Sequence, residues 1–389
     1  MATITVQPTT LRWAVEQSDA DLDEIVISKP KLGQLPDWLN SNEPLKLSFS
    51  NLEALSASLH VPFGTLVLTE PPQSHDEAIV KYRTLGNDNA HISQNLRDVL
   101  ASMHAKQNWA HDELSNLGLG DNTLVGSARQ TKSPQEIANL IKDQLSLKDD
   151  WPLGYDRRPA RFNFLRDIVA KAGVLVMNDT MIGRRRLNLS EFRAFTLLDD
   201  VVPLIFINRN DSDSAMLFSL LHELVHVALG TEELFNDSEI PQSSADSERL
   251  INRTAMELVV PEHVFLNEWK LMARTHTADD IANRFSLKYG LSTIAFLIRA
   301  RQLGLASEAD IEQERNAMEQ RLKSPRQSND SKGGNQNLTN ASHFDSRFVG
   351  LVRQSINSGT LPYTDGFALL NVKSSRAYDG LLKAKKMMP

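Results

Sequence analysis

Apolar residues recur at three- and four-residue spacing along most of the chain, which is the pattern of helices with one buried face. Near the N-terminus Leu11, Ala14 and Val15 share one such face, Leu22, Ile25 and Val26 begin a second, and Leu35, Trp38 and Leu39 form a third. Ser50-Asn-Leu-Glu53 has the Ser-x-x-Glu form of a capping box ahead of Leu52, Leu55, Ala57 and Leu59. Several short helices over residues 9–70 suit a helix-turn-helix-like module, closed by Pro71 and Pro72.

The pattern predicts helices over 92–110 and 134–147, separated by a loop rich in Gly, Asn, Ser and Thr at 118–133. A helix over 161–172 ends at Gly173. Strands are then expected over 174–177, 192–198 and 201–208, the last apolar enough to be buried on both faces. A helix over 213–229 stops at Gly230, and another over 246–260 stops at Pro261. Residues 262–322 are helical again. Residues 323–342 have the composition of a flexible linker. Helical patterning resumes around Phe348, Val349, Val352 and Ile356 and breaks at Gly359. The expected fold is α+β and mostly α-helical. Its organisation is a degenerate helix-turn-helix-like domain (1–72), a helical connection (73–150), a domain with a short sheet (151–322), a linker (323–342) and a small C-terminal helical module (343–389).

Composition narrows the chemistry. The 389 residues include no cysteine, so thiolate metal sites, iron–sulfur clusters and cysteine nucleophiles are excluded. Any metal must be held by His and carboxylate. The net charge of −7 offers no global attraction for nucleic acid. The N-terminus lacks the basic and apolar regions of a secretory signal, and no run approaches the roughly 20 apolar residues of a membrane span. A cytoplasmic protein without a membrane partner is expected.

One motif carries chemistry. His222-Glu223-Leu224-Val225-His226 is H-E-x-x-H, and on a helix its two imidazoles lie on one face, one turn apart. A divalent ion can sit between both ring nitrogens at about 2.0–2.1 Å. Glu223 is offset from that line, so it suits proton transfer in metal-assisted hydrolysis rather than ligation. The flanking Phe218, Leu220, Leu221, Leu224, Val225, Val227 and Leu229 make the helix apolar all round, hence buried. Two histidines and a glutamate are costly there unless they have partners.

A catalytic zinc usually keeps three protein ligands and an open position. The metzincin extension is absent, because Gly230 falls one residue late and Glu232 holds the outer position. Glu248 is the favoured third ligand, since Glu248, Asn252 and Ala255 share one helical face. Glu232 and His263 are the alternatives, and Glu257 reads as structural. The strand ending at Asn208 could pair with an extended substrate or serve only as core. Arg184-Arg-Arg186 reads as a solvated hairpin tip, Asp199-Asp200 as a solvated turn, and Asp211 and Asp213 as caps of the metal helix. Trp109, Trp151 and Trp269 read as packing residues.

These residues resemble the ImmA/IrrE family of zinc metallo-endopeptidases. The resemblance rests on Phe192-Arg-Ala-Phe195, Asp200-Val-Val-Pro203, Ile205-Phe-Ile-Asn208, Phe218 through His226, and Glu248-x-x-x-Asn252-x-x-Ala255-x-Glu257-Leu-Val-Val-Pro261. It implies a gluzincin-like site in which His222, His226 and Glu248 bind zinc and Glu223 is the catalytic base. Family members commonly have Gly where Ala194 stands and Cys or Ala where Ile251 stands, and neither position enters the chemistry. Residues 9–70 look like the Xre-type domain fused upstream in many members. Tyr82-Arg-Thr84 and Gly359-x-Leu-Pro-Tyr363 have counterparts in long members.

The resemblance implies a regulatory endopeptidase whose protein substrate is a helix-turn-helix repressor. A toxin half of a toxin–antitoxin pair, held by a neighbouring antitoxin, would use the same zinc site. A DNA-binding transcriptional regulator with a structural or sensing metal is a rival from another class. Against it, the third helix of the N-terminal module (31–40) offers Lys31, Gln34 and Asn40, but Lys29, Lys31 and Lys46 are the only cations between Asp19 and Glu70. Zinc is the expected metal, with Mn2+ or Fe2+ admitted by ligand type.

Overall fold

A computed structural model describes residues 3–16, 18, 22–59, 61, 63–71, 93–183, 185–231, 234–235, 245–323 and 336–388. The expected Tyr82–Thr84 match, Arg184, Glu232 and residues 324–335 of the expected linker lie outside the described residues. The chain divides into two compact units, residues 1–101 and 102–389. The fold is α+β and mostly helical, as expected.

In the first unit, β1 (Thr3–Val6) leads into α1 (Pro8–Glu16), α2 (Leu22–Ser28) and α3 (Leu35–Asn40). β2 (Leu45–Ser48), α4 (Phe49–Leu59) and α5 (Phe63–Leu66) follow. The helical spacing is realised as a core of Leu11, Ala14, Leu32, Leu35, Trp38, Leu52, Leu55 and Leu59. The antiparallel β1–β2 pair, with Thr3 opposite Ser48 and Val6 opposite Leu45, has no counterpart in the sequence reading. Four-residue strands far apart in sequence leave no local signal. Two further details differ. The hydroxyl that accepts from a first-turn N–H of α4 is Ser48, to Asn51 at 3.2 Å, because the helix starts one residue before Ser50. The expected third helix is a 3-10 turn at Pro30–Leu32 followed by α3, since Gly33 and Pro36 interrupt it.

In the second unit, α6 (Gln94–Asn116), which begins upstream of the division, is followed by α7 (Pro134–Leu145) and α8 (Arg158–Lys171). Then come β3 (Leu175–Asp179), the hairpin β4 (Met181–Ile182) and β5 (Arg185–Arg186), β6 (Ala194–Leu197) and β7 (Leu204–Asn208). α9 (Asp213–Leu229), β8 (Leu234–Phe235) and α10 (Ala245–Val259) complete the region around the sheet. The helices α11 (Glu262–Met272), α12 (Ala278–Tyr289), α13 (Thr293–Gln302) and α14 (Glu308–Lys323) lead to α15 (Gln336–His343), α16 (Ser346–Ser358), α17 (Tyr363–Leu369) and α18 (Ser375–Ala384).

The main sheet has the order β3-β7-β6-β8, with β3 parallel to β7 and the other pairs antiparallel. β7 therefore has both edges hydrogen-bonded. It is a core strand, and an extended substrate cannot add to it. All five of its residues are buried, which explains its continuous apolar run. α9 packs on this sheet, and its Leu217, Leu220, Leu221, Leu224 and Val225 share one core with Ile137 and Ile141 of α7, Ile205 of β7 and Ile251 and Ala255 of α10.

Both ends of α9 are closed by specific contacts. Ser212, rather than Asp211 or Asp213, is the N-cap, accepting from Ala215 N. Asp213 lies in the first turn, and Asp211 pairs with Arg193 at 2.6 Å. At the other end Gly230 adopts φ +69°, and the loop between α6 and α7 supplies Gly126 N to Val227 O at 3.0 Å and Ala128 N to Ala228 O at 2.7 Å. A Cβ at position 230 would stand 3.2 Å from Gly126 Cα, so the positive φ favours glycine and a larger residue would also press on the neighbouring backbone.

The chain after residue 335 is tied to the outer edge of β3. Asp345 Oδ2 accepts from Val176 N at 2.8 Å, while its Oδ1 caps α16 through Phe348 N at 2.8 Å. Buried Arg166 donates to Val176 O from Nε at 3.0 Å and to Ser342 O from Nη1 at 2.6 Å. The edge strand is thus covered by the chain's own polar groups, which removes a template for foreign strands.

The Asp199-Asp200 turn is not simply solvated. Asp199 accepts from Val201 N and Val202 N and meets His111 Nδ1 at 2.8 Å, and Gln107 of the same α6 donates to Leu197 O and Val202 O. The Asp199 hydrogen bond and charge raise the His111 pKa. A histidine raised above its unfolded value stabilises below the ordinary His pKa, and the contribution disappears as pH rises through the raised value. The His111 ring should titrate above about 6.5 by proton NMR and return to the ordinary value in Asp199→Asn. An unchanged midpoint in that variant would show that the ion pair is not formed.

Candidate metal centre

The centre is built on the inward faces of α9 and α10. In α9, His222 and His226 sit one turn apart, and both are buried with Glu223 in an otherwise apolar helix. Their Nε2 atoms approach to 3.1 Å. Glu248, near the start of α10 and 5% exposed, points its carboxylate at both rings, with Oε2 3.6 Å from His222 Nε2 and Oε1 3.7 Å from His226 Nε2. Among the described residues these three form the group able to hold a metal, with ligand atoms all within 4.8 Å of one another. His263 is exposed at the start of α11 and does not join them. Glu257 instead faces Arg299 at 2.8 Å.

Asn252 lies one turn after Glu248 on α10 and meets His222 Nδ1 with its amide oxygen at 3.0 Å. Thr231 follows Gly230 and meets His226 Nδ1 with its hydroxyl at 2.9 Å. Each imidazole therefore has its outer nitrogen engaged and its inner nitrogen aimed at the common point. Burial holds the His222 pKa well below its usual value, neighbouring His226 lowers it further, and the Asn252 bond opposes this only in part. Burial alone lowers His226 to about 4. Both rings are thus neutral near pH 7, the state in which imidazole can ligate a metal. Two neutral imidazoles and one carboxylate, convergent and buried, fit a divalent ion by donor type and by spacing.

Glu223 is fully buried and turned toward the sheet. Thr196 of β6 donates to Glu223 Oε2 at 2.6 Å and lies 3.3 Å from its carbonyl oxygen. The sequence reading missed Thr196, although a lone hydroxyl in the buried run Ala194-Phe-Thr-Leu197 is a signal that it has a partner. It placed Asn252 on the Glu248 face but gave it no role, and Thr231 was not singled out. β6, not β7, is the strand beside the centre. Among the described residues, its outer edge pairs with β8 at Ala194 and Phe195.

No curated protein matches the chain, and no solved structure matches it. Residues 171–301, about a third of the chain, match the model of the Peptidase_M78 family, described as IrrE N-terminal-like domain. That stretch runs from the end of α8 through the sheet, α9 and α10 into α13. The part of the chain that builds the buried His222–His226–Glu248 group is therefore similar to the metallopeptidases of the ImmA/IrrE kind.

Proposed function

We propose that this protein is a zinc-dependent endopeptidase of regulatory type that cleaves a specific protein such as a helix-turn-helix repressor. The observation that carries this reading is the convergence of three buried donors with a buried carboxylate next in sequence to the first of them. In this reading His222, His226 and Glu248 hold the ion, which when bound would lower the pKa of a water and polarise the scissile carbonyl. Glu223 takes a proton and returns it to the leaving amine, and the Thr196 hydroxyl holds that carboxylate in place. Residues 151–322 form the peptidase domain. The N-terminal module serves protein recognition rather than DNA binding. In support, Lys29 donates to Ser58 Oγ at 2.7 Å and Lys31 to Ser50 Oγ at 3.1 Å, so two of its few cations are held by its own hydroxyls.

Plasma emission analysis of protein purified without a metal-binding tag tests the reading. About one zinc per chain is expected in wild type, with a measurable loss in His222→Ala and in Glu248→Ala. A metal-free wild type that takes up no zinc when supplied would refute it. Full occupancy in Glu248→Ala would move the third ligand elsewhere.

A further inference from the structure

The outer partners of the two imidazoles differ in kind. The amide oxygen of Asn252 can only accept, so His222 Nδ1 must hold the ring proton and its Nε2 must be a bare lone pair. The hydroxyl of Thr231 can donate or accept, so it fixes neither tautomer of His226. The inner nitrogens lie 3.1 Å apart in a buried site. Two lone pairs facing each other at that distance repel, and the Glu248 carboxylate, 3.6 and 3.7 Å from them, adds negative charge rather than screening.

His226 can resolve this in either of two states. With its proton on Nε2 it donates to His222 Nε2, and the Thr231 hydroxyl donates to Nδ1. With its proton on Nδ1 it donates to the turned Thr231 hydroxyl, and both Nε2 atoms offer lone pairs to a cation. The first arrangement suits an empty centre and the second an ion-holding one. One proton leaves Nε2 and one arrives at Nδ1 of the same ring, exchanged with solvent beside the exposed Thr231, so the ring stays neutral throughout.

We infer that Asn252 and Thr231 are positioning residues with unequal roles: Asn252 locks His222 in the metal-ligating tautomer, and Thr231 lets His226 exchange tautomers as the centre fills. The inference rests on the metallopeptidase reading of the centre. It also explains the placement of both residues. Asn252 sits on the helix that brings Glu248, so one element sets a ligand and a ring together. Thr231 is reached only because the left-handed turn at Gly230 folds the chain back under His226.

Two measurements on the full chain test it without any substrate. Histidine 15N spectra are recorded on metal-free protein and after adding equimolar Zn2+. His222 should show the Nδ1–H tautomer in both, and His226 should change from Nε2–H to Nδ1–H. Competition with a chelator then ranks variants. Asn252→Leu, of similar size but without an acceptor, should weaken zinc binding about 10–100-fold, whereas Asn252→Asp should bind within a few-fold of wild type or tighter. Thr231→Val should weaken it about tenfold, and Thr231→Ser should restore it. A packing role for Asn252 predicts the reverse order, with Leu tolerated and a buried Asp not. Thr231 is exposed, so its variants keep the test readable if Asn252→Leu does not fold. An unchanged His226 tautomer, or wild-type affinity in both Asn252→Leu and Thr231→Val, overturns the inference alone. Failure of wild type to take up zinc overturns the metallopeptidase reading and this inference together.

Discussion

Glu223→Gln is expected to bind zinc like wild type while cleaving a protein substrate about 10²–10⁴-fold more slowly. Gln is nearly isosteric, so the Thr196 hydroxyl still finds an oxygen to donate to and α9 keeps its packing. What is lost is the ability to accept a proton. Glu223 is fully buried, one residue off the line joining His222 and His226, so its removal leaves the donor set intact. The comparison requires metal analysis and cleavage on the same preparation. A variant that keeps its metal and full activity would remove Glu223 from the mechanism. A variant that loses both would point to a structural role instead.

The second large effect concerns stability. Glu257→Ala is expected to destabilise the second unit by about 3 kcal/mol, the low end of what breaking a buried ion pair costs. Arg299 Nη2 lies 2.8 Å from Glu257 Oε1, and both side chains are buried. Arg299 Nη1 also donates to Met256 O and Val260 O, closing the C-terminal end of α10, so the guanidinium cannot swing out to water without opening that helix. Burial raises the Glu257 pKa in spite of its partner and lowers that of Arg299 in spite of Glu257, so desolvation outweighs attraction for both. A cavity of about 270 Å³ lined by both residues admits water, which places the effect at the lower end. The double variant Glu257→Leu with Arg299→Met removes the unpaired charge but also the donor to Met256 O and Val260 O, so it should recover only part of the loss. Urea unfolding of the single and double variants decides this. A Glu257→Ala midpoint equal to wild type would mean that Arg299 is solvated when unpaired.

The sequence went furthest where structure is local. Helical spacing was enough to set α9 and α10 and to put Glu248, Asn252 and Ala255 on one face. The i, i+4 spacing of His222 and His226 places both rings on one side of α9 whatever surrounds it. The apolar run of β7 announced burial on both faces. The start of α4 slipped by two residues because Ser48 and Ser50 offer the same hydroxyl, and only the backbone path selects between them.

What failed to appear in the sequence depends on groups remote from one another along the chain. The pairing of β1 with β2 joins strands some forty residues apart. The central position of β7, which excludes it as a substrate strand, follows from two partners on opposite sides. Asp199 read as a solvated turn residue until His111 and Gln107 of α6 were brought to the same turn. Nothing in the composition of the expected linker or of the C-terminal module signalled contact with the sheet, yet Ser342, at the end of the expected linker and inside the helix α15, satisfies Arg166 through its carbonyl, and Asp345 closes the edge of β3.

The sequence by itself determined the long helices, the strands β3, β6 and β7, the all-round apolar character of α9 and the residue types able to hold a metal. These follow from periodicity and donor chemistry, which are properties of neighbouring positions. The tertiary structure alone decided that Thr196 holds Glu223, that Asn252 and Thr231 each orient one imidazole, and which strand lies beside the centre. Hydrogen bonds and charge pairs form between atoms a few ångströms apart in space, and nothing in the spacing of residues along a chain encodes which distant side chain will arrive at that distance.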